Sequence, residues 1–225
     1  MHSFAVTRKG RNHLENEDHH LADDERGLYI VADGIGSSRG AGTASALVVA
    51  ELSAQIDAGM PQAFRAAARR LAAAGGRSPQ HRDMATGATL LLVAGGMRHL
   101  AHVGDARCYL VHGGELTQLT RDHSVAWEQF ESGALTKDAL RGHPNQRQLT
   151  RSFHAAKDFV VPDFLSAPLA PGDAFLLTTD GITKEVPEER LAAIVGTRPC
   201  SEWPAALLLA AGAAEDDATV VAVGP

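Results

Sequence analysis

Four aspartates stand out for where they fall along the chain. Asp33 follows the run Leu28-Tyr29-Ile30-Val31-Ala32 directly and precedes Gly34. Asp105 follows Leu100-Ala101-His102-Val103-Gly104, and Asp180 follows Phe175-Leu176-Leu177-Thr178-Thr179 and precedes Gly181. Asp216, with Asp217 beside it, lies just ahead of Thr219-Val220-Val221-Ala222-Val223. Each carboxylate therefore sits at one end of an apolar run of strand type. Taken singly, an aspartate in such a place is a turn former, because its side chain bonds the local backbone. Taken together, they point to other chemistry. If the strand ends meet, the acids converge, and like charges a few ångströms apart do not all stay ionised without a cation. Hard oxygen ligands with no clustered His or Cys favour Mg2+ or Mn2+ over zinc. Two such ions sharing a carboxylate can position and deprotonate a water between them, and can neutralise a phosphoryl group under in-line attack. A glycine next to the acid leaves room for a backbone carbonyl to approach a ligand.

Gathering those ends requires strands, and the sequence supplies them. Apolar runs predict strands at 4–7, 28–32, 89–94, 99–103, 108–112, 115–120, 159–165, 174–179 and 219–223. Gly95-Gly96 and Gly113-Gly114 each separate two runs, a hairpin signal that favours antiparallel pairing. Helical periodicity predicts helices at 41–57 and 61–74, with weaker patterns at 125–132, 188–195 and 203–214. Helices in two blocks around a crowd of strands imply the α+β class, with sheets packed on each other and helices outside. The 225 residues fit a single domain over 1–225, with 122–150 interrupting the strands as a small peripheral subdomain. Hydrophobic residues make up 44% but aromatics only 5%, so Ala, Val, Leu and Ile must fill the core. Twenty-seven acidic against 21 basic residues, a net charge of −6, argue against a nucleic-acid binder, which needs a basic face. Cys108 and Cys200 have no ligand-like spacing and read as small buried hydrophobes in a reducing compartment. No signal-like apolar stretch opens the sequence, and the longest apolar run, 205–214, is about half the ~20 residues that span a bilayer. The expected location is cytoplasmic, with no membrane partner.

The motifs fall in a recognisable order. They are Asn16-Glu17-Asp18 closing residues 10–18, Val31-Ala32-Asp33-Gly34-Ile35-Gly36, Gly87-Ala88-Thr89, Val103-Gly104-Asp105-Ala106-Arg107 and Leu119-Thr120-Arg121-Asp122-His123-Ser124. After them come His143-Pro144 with Leu149-Thr150-Arg151, then Thr179-Asp180-Gly181-Ile182-Thr183, then Asp216-Asp217-Ala218-Thr219. Each is weak to moderate alone; eight in register resemble the type 2C, metal-dependent protein serine/threonine phosphatases (the PPM family) in compact bacterial form. The resemblance implies a four-layer αββα sandwich of two mainly antiparallel sheets. It also implies hydrolysis of phosphoserine and phosphothreonine in proteins by a metal-bridging water or hydroxide. By carry-over, Asp33 would bridge two Mn2+ or Mg2+ ions and serve catalysis with Asp180, Gly34 would give its carbonyl, and Asp180 and Asp216 would complete one ion's shell. Glu17 and Asp18 would hold water nearby, Asp105 with Asp180 would offer a third position, and 125–144 would form a flap beside the cleft. The implied partners are phosphorylated proteins, targets of a bacterial Ser/Thr kinase.

Departures from the pattern set a competing expectation. The family usually carries an arginine at His13, where it grips the substrate phosphate. A histidine has an unperturbed pKa of ~6.5, so phosphate binding there becomes pH-dependent and loses a bidentate fork. Arg11 is the nearest stand-in, two residues away on the same strand face. Ser37 replaces a usual glycine, Asp217 a usual asparagine, and His154 a common glycine. The alternative reading is therefore a catalytically weak pseudo-phosphatase that binds phosphoproteins, and a third is a small-molecule phosphatase or nuclease. The loop 34–40 lacks both the third glycine of a dinucleotide fingerprint, where Arg39 stands, and a P-loop Gly-Lys-Ser/Thr. His19-His20 read as a solvated pair, Asp122-His123-Ser124 as a helix start, and 64–70 as an exposed amphipathic helix.

Overall fold

The computed structural model describes residues 1–36 and 40–225, so Ser37 and Arg39 lie outside the described residues. In chain order the elements are β1 (His2–Arg8), β2 (His19–Asp23), β3 (Leu28–Ile35), α1 (Ala41–Gln55), α2 (Met60–Gly75), β4 (Ala85–Ala94), β5 (Met97–Val103), β6 (Arg107–His112) and β7 (Glu115–Gln118). Then follow α3 (Val125–Glu131), α4 (Lys137–Leu140), β8 (Phe153–His154), β9 (Asp163–Pro168), β10 (Ala174–Thr178), α5 (Asp180–Thr183), α6 (Glu188–Thr197), α7 (Trp203–Ala211) and β11 (Ala218–Gly224). One sheet has the order β1-β11-β10-β6-β7, and the other β2-β3-β4-β5-β9 with β8 added on β4. Every pairing between these strands is antiparallel.

The pleat explains why the central strands read as continuous apolar runs. In β3, Leu28, Ile30 and Ala32 pack with Val48 and Leu52 of α1 and Phe64 and Leu71 of α2. The intervening Tyr29 and Val31 pack with Leu91, Phe175, Leu177 and Val221 between the two sheets. In β11, Val220 and Ala222 meet Trp203 and Leu207 of α7 on the far side. Both faces of each central strand are covered, so no polar alternation survives. The result is the four-layer αββα sandwich that the motifs implied. In the Gly95-Gly96 hairpin φ is 59° and 74°, and in Gly113-Gly114 it is 59° and 84°. Both turns need positive φ twice, which glycine supplies without strain.

Some boundaries differ from those the sequence suggests. The strand expected at 159–165 begins only at Asp163, which pairs with His102, while Phe159 and Val161 are exposed. Pro162, with no N–H to donate, separates the apolar run from the ladder. His19 and His20 lie in β2, a strand not anticipated, and are half-buried rather than solvated; His19 Nδ1 is 3.0 Å from Ser45 Oγ. The last helix stops at Ala211 because Gly212 turns to φ 63°.

Residues 122–150 leave the body between β7 and β8, and the excursion closes on itself at its base. Val125 N–H donates to the Gln148 carbonyl at 2.9 Å, and Thr150 N–H to the His123 carbonyl at 2.8 Å. Arg107 holds this base with two bonds to Asp122, at 2.8 and 2.7 Å, and its guanidinium lies 5.8 Å from the Trp127 ring centre. Ser124 caps α3 by accepting from Trp127 N–H, as a helix start there requires.

Candidate active site

The carboxylates arrive from both sheets at one end of the sandwich. Asp33 is near the end of β3, paired with Gly87 of β4. Its carbonyl accepts from the Thr86 hydroxyl at 2.7 Å, which fixes the backbone there. Asp105 sits in the link that carries the chain from β5 in one sheet to β6 in the other. That link turns at Gly104, with φ 108° and a virtual Cβ only 2.8 Å from Gly87 Cα, so no side chain fits. Thr89 ties the same link down by donating to the Ala106 carbonyl at 2.7 Å. Asp180 opens the turn of α5 after β10, and Asp216 precedes β11 alongside. A Cβ on Gly181 would collide with the Asp217 carbonyl, so the glycine next to Asp180 is what lets these two segments touch.

Carboxylate oxygens of Asp33, Asp105 and Asp180 all lie within 4.8 Å of one another. Among the described residues no donor reaches Asp33 Oδ2 or Asp180 Oδ1, although both are buried. Buried oxygens without donors are costly, and a hard divalent cation would satisfy them. The titration behaviour has the same cause. Burial raises Asp33 well above the carboxylate range, and the charges of Asp180, Asp18, Asp105 and Asp216 add to it. Burial and Asp180 likewise hold Asp105 well up, against the pull of Lys184 and Arg107. Asp180 is raised by burial and by Asp216, with Lys184 opposing.

Asp216 joins this group at its rim. Its Oδ2 is 3.2 Å from Lys184 Nζ and its Oδ1 3.6 Å from His13 Nε2. Lys184 also forms an ion pair with Asp180, so one ammonium links the two acids. The sequence reading missed Lys184; the signal was its i,i+4 spacing from Asp180, which on a helical turn sets a lysine over the carboxylate.

Neighbouring acids diverge, because successive residues on extended chain face opposite ways. Asp217 is 2% exposed and saturated: Gly10 N–H and Glu17 N–H each donate to it at 2.6 Å, and His13 Nδ1 is 2.8 Å away. It fixes the opening loop instead of adding charge to the cleft. Asp18, also buried, accepts from the Thr179 and Thr219 hydroxyls, both at 2.7 Å, and lies behind the cleft. Burial pushes it up to about 8 despite those two bonds, with the charges of Asp180 and Asp217 contributing.

The cleft over this floor is lined by Gly34, His13 and Glu17 and by His143, Gln146 and Arg147 of the 122–150 excursion. For His13, partial burial lowers the pKa, but the bond to Asp217 and the charges of Asp217, Asp216 and Glu17 outweigh it and the net shift is upward. Arg11 is not a substitute for it. Its guanidinium is exposed and paired with Glu215 at 2.7 Å, and it is not among the cleft-lining residues.

Comparison with known proteins adds an independent line. The family model for protein phosphatase 2C matches residues 7–202. The phosphatase PhpP of Streptococcus pneumoniae is 31% identical over 87% of this chain and 84% of its own length. The crystal structure of the serine/threonine phosphatase PstP/Ppp of Mycobacterium tuberculosis superposes with a TM-score of 0.91 at 29% identity, covering 99% of this chain and 97% of that one. A structure of the PstP catalytic domain in complex with two manganese ions gives a TM-score of 0.88 at 28% identity, over 99% and 97% of the two chains. With the family model spanning most of the sequence and the same fold carrying the acids to one sheet end, this chain belongs to the protein phosphatase 2C family.

Proposed function

We propose that this chain hydrolyses phosphoserine and phosphothreonine esters of proteins with two divalent ions, Mn2+ or Mg2+, held in the acidic cleft. The observation that carries the reading is the convergence of Asp33, Asp105 and Asp180 from two sheets, with buried oxygens that no donor among the described residues satisfies. Asp33, Asp180 and Asp216, with the Gly34 carbonyl, would hold the two ions, Asp105 with Asp180 would offer a third position, and Glu17, which lines the same cleft, would order water. Bound there, the ions supply water activation and neutralise phosphoryl charge, which hydrolysis of so inert an ester demands. The chain's own residues do the rest. Asp217 orients His13 through Nδ1 and leaves Nε2 facing the cleft, where a protonated imidazole donates to a phosphoryl oxygen. Arg147, which lines the same cleft from the 122–150 excursion, offers a second cation. Asp18 acts at one remove, holding the Thr179 and Thr219 hydroxyls that sit beneath Asp180 and Asp216.

The 122–150 segment serves in this reading as a flap that frames the phosphopeptide. Among the described residues no helix is long and apolar enough to cross a membrane. Targets of a cytoplasmic bacterial Ser/Thr kinase are the substrates this assignment favours. The test is release of inorganic phosphate from phosphoserine and phosphothreonine peptides by protein loaded with Mn2+. Expected is release that EDTA abolishes and added Mn2+ restores. Absence of release at every pH from about 6 to 9 would reject the assignment.

A further inference from the structure

Two buried acids outside the cleft, Asp122 and Asp173, are each neutralised by an arginine. Asp122 takes the two-pronged guanidinium of Arg107, and Asp173 takes Arg98 and His112, each at 2.8 Å. Only in the cleft is the partner a lysine. Lys184 follows Asp180 by one helical turn, its own N–H donates to the Asp180 carbonyl at 2.8 Å, and its ammonium lies between Asp180 Oδ2 and Asp216 Oδ2. Among the described residues no donor reaches the opposite oxygen of the same carboxylate, Asp180 Oδ1, or Asp33 Oδ2. The cluster thus has two cationic positions, one filled by the chain itself and one left to an outside ion.

We propose that Lys184 is a built-in cation that competes with a divalent ion for the Asp180–Asp216 end of the cluster. The inference rests on the metal reading above and adds that this chain holds one of its ions less tightly than its carboxylates alone would. The side chain suits a displaceable role. An ammonium on a four-carbon stem is a single point charge, whereas a guanidinium fork locks both carboxylate oxygens. Lys184 is also 27% exposed, so it can swing to solvent when an ion with twice its charge arrives. When no ion is bound, the same ammonium offsets the repulsion between Asp180 and Asp216.

Calorimetric titration of metal-stripped protein with Mn2+ tests this without reference to catalysis. Lys184→Met keeps the stem and removes the charge. It should bind its weakest ion at least tenfold tighter than the parent, or bind one additional ion per chain. Lys184→Arg should retain parental or weaker binding. Lys137→Met, which removes an ammonium paired with Glu188 on the surface, should change nothing. Melting in EDTA gives a second readout: Lys184→Met should melt lower than the parent without metal and gain more on adding Mn2+. Superimposable isotherms for parent and Lys184→Met, or a weaker one for the variant, overturn the proposal and leave the metal site standing. If neither protein takes up Mn2+, the metal reading fails and this inference with it.

Discussion

Asp173 and Asp180 are both buried aspartates beside β10, and they are treated in opposite ways. Asp173, in the turn ahead of the strand, is 3% exposed and accepts from Arg98, from His112 and from the Ala170 N–H at 2.9 Å. Asp180, at the strand's other end, is 9% exposed and faces Asp33, Asp105 and Asp216, with one oxygen that no donor among the described residues reaches. The same sheet therefore carries a finished ion pair at one end and an unfinished one at the other. Among the described residues arginine stands against Asp122 and Asp173 as a strut, whereas Asp180 and Asp216 pair only with Lys184 and His13. The shortfall of positive charge in the cleft is what makes it receptive to a cation from outside.

Exchanging the carboxylate for an amide at each end breaks the comparison most directly. Asp180→Asn removes a charge and almost no volume. Phosphatase activity with Mn2+ should fall at least about 10³-fold, roughly 4 kcal/mol in the barrier, while the metal-free melting temperature does not drop. Asp173→Asn should do the reverse. It breaks a buried pair and leaves Arg98 uncompensated, so unfolding free energy should fall by about 3 kcal/mol, with kcat of the folded fraction unchanged. Denaturant melts and steady-state kinetics on both variants decide it. An active Asp180→Asn enzyme would remove Asp180 from the metal site.

A smaller effect separates the two ends by pH. Asp33, Asp105 and Asp180 are raised in the folded state, and Asp18 is raised to about 8, all chiefly by burial. A carboxyl with a raised folded pKa keeps a proton that the unfolded chain has released above about 4. Its stabilisation is therefore lost as pH climbs through the folded value. His19, His20, His102 and His123 are lowered, so their opposite contribution is complete by about pH 7. In EDTA the melting temperature should decline between about pH 7 and 8.5, and the rise produced by Mn2+ should be larger at the upper value. A metal-free melting temperature that climbs over that interval would mean the acids are already ionised.

How much of this was readable beforehand follows from which forces are local. The strand-end aspartates, the paired glycines of both hairpins and the amphipathic stripe of α2 are short-range signals, and each fell where the sequence put it. The double-sided burial of β3, β4, β10 and β11 was visible as unbroken apolar runs. β2 was not, because an edge strand of half-buried His-His-Leu-Ala-Asp has no hydrophobic alternation and exists through its pairing with β3. Asp217 shows in the sequence only as an aspartate where the pattern has an asparagine, yet its partners are Gly10 and Glu17, some 200 positions away in the chain. Arg11 shares a strand-like offset with His13, but Glu215 captures it. Side-chain choice among several reachable partners is set by tertiary packing, which no spacing rule contains.

His13 lies between the two regimes, and the smallest predicted effect belongs to it. One nitrogen is committed to the saturated Asp217, as a structural histidine would be; the other faces the open cleft near Asp216. Raised above its usual value by those acids, it keeps its charge to a higher pH than a free imidazole does. Stability and phosphate affinity that depend on the imidazolium are both present at low pH and lost as pH rises through that value. For the parent enzyme, KM for a phosphopeptide should therefore rise a few-fold as pH climbs from about 6.5, the unperturbed imidazole value, to about 8.5, with kcat changing less. His13→Arg keeps a donor toward Asp217 and a charge that does not titrate, so its KM should be flat across the interval and lower than the parent's at the alkaline end. If KM of the parent is already flat, His13 serves Asp217 alone, and the cleft draws its phosphate-binding charge from its ions and from Arg147.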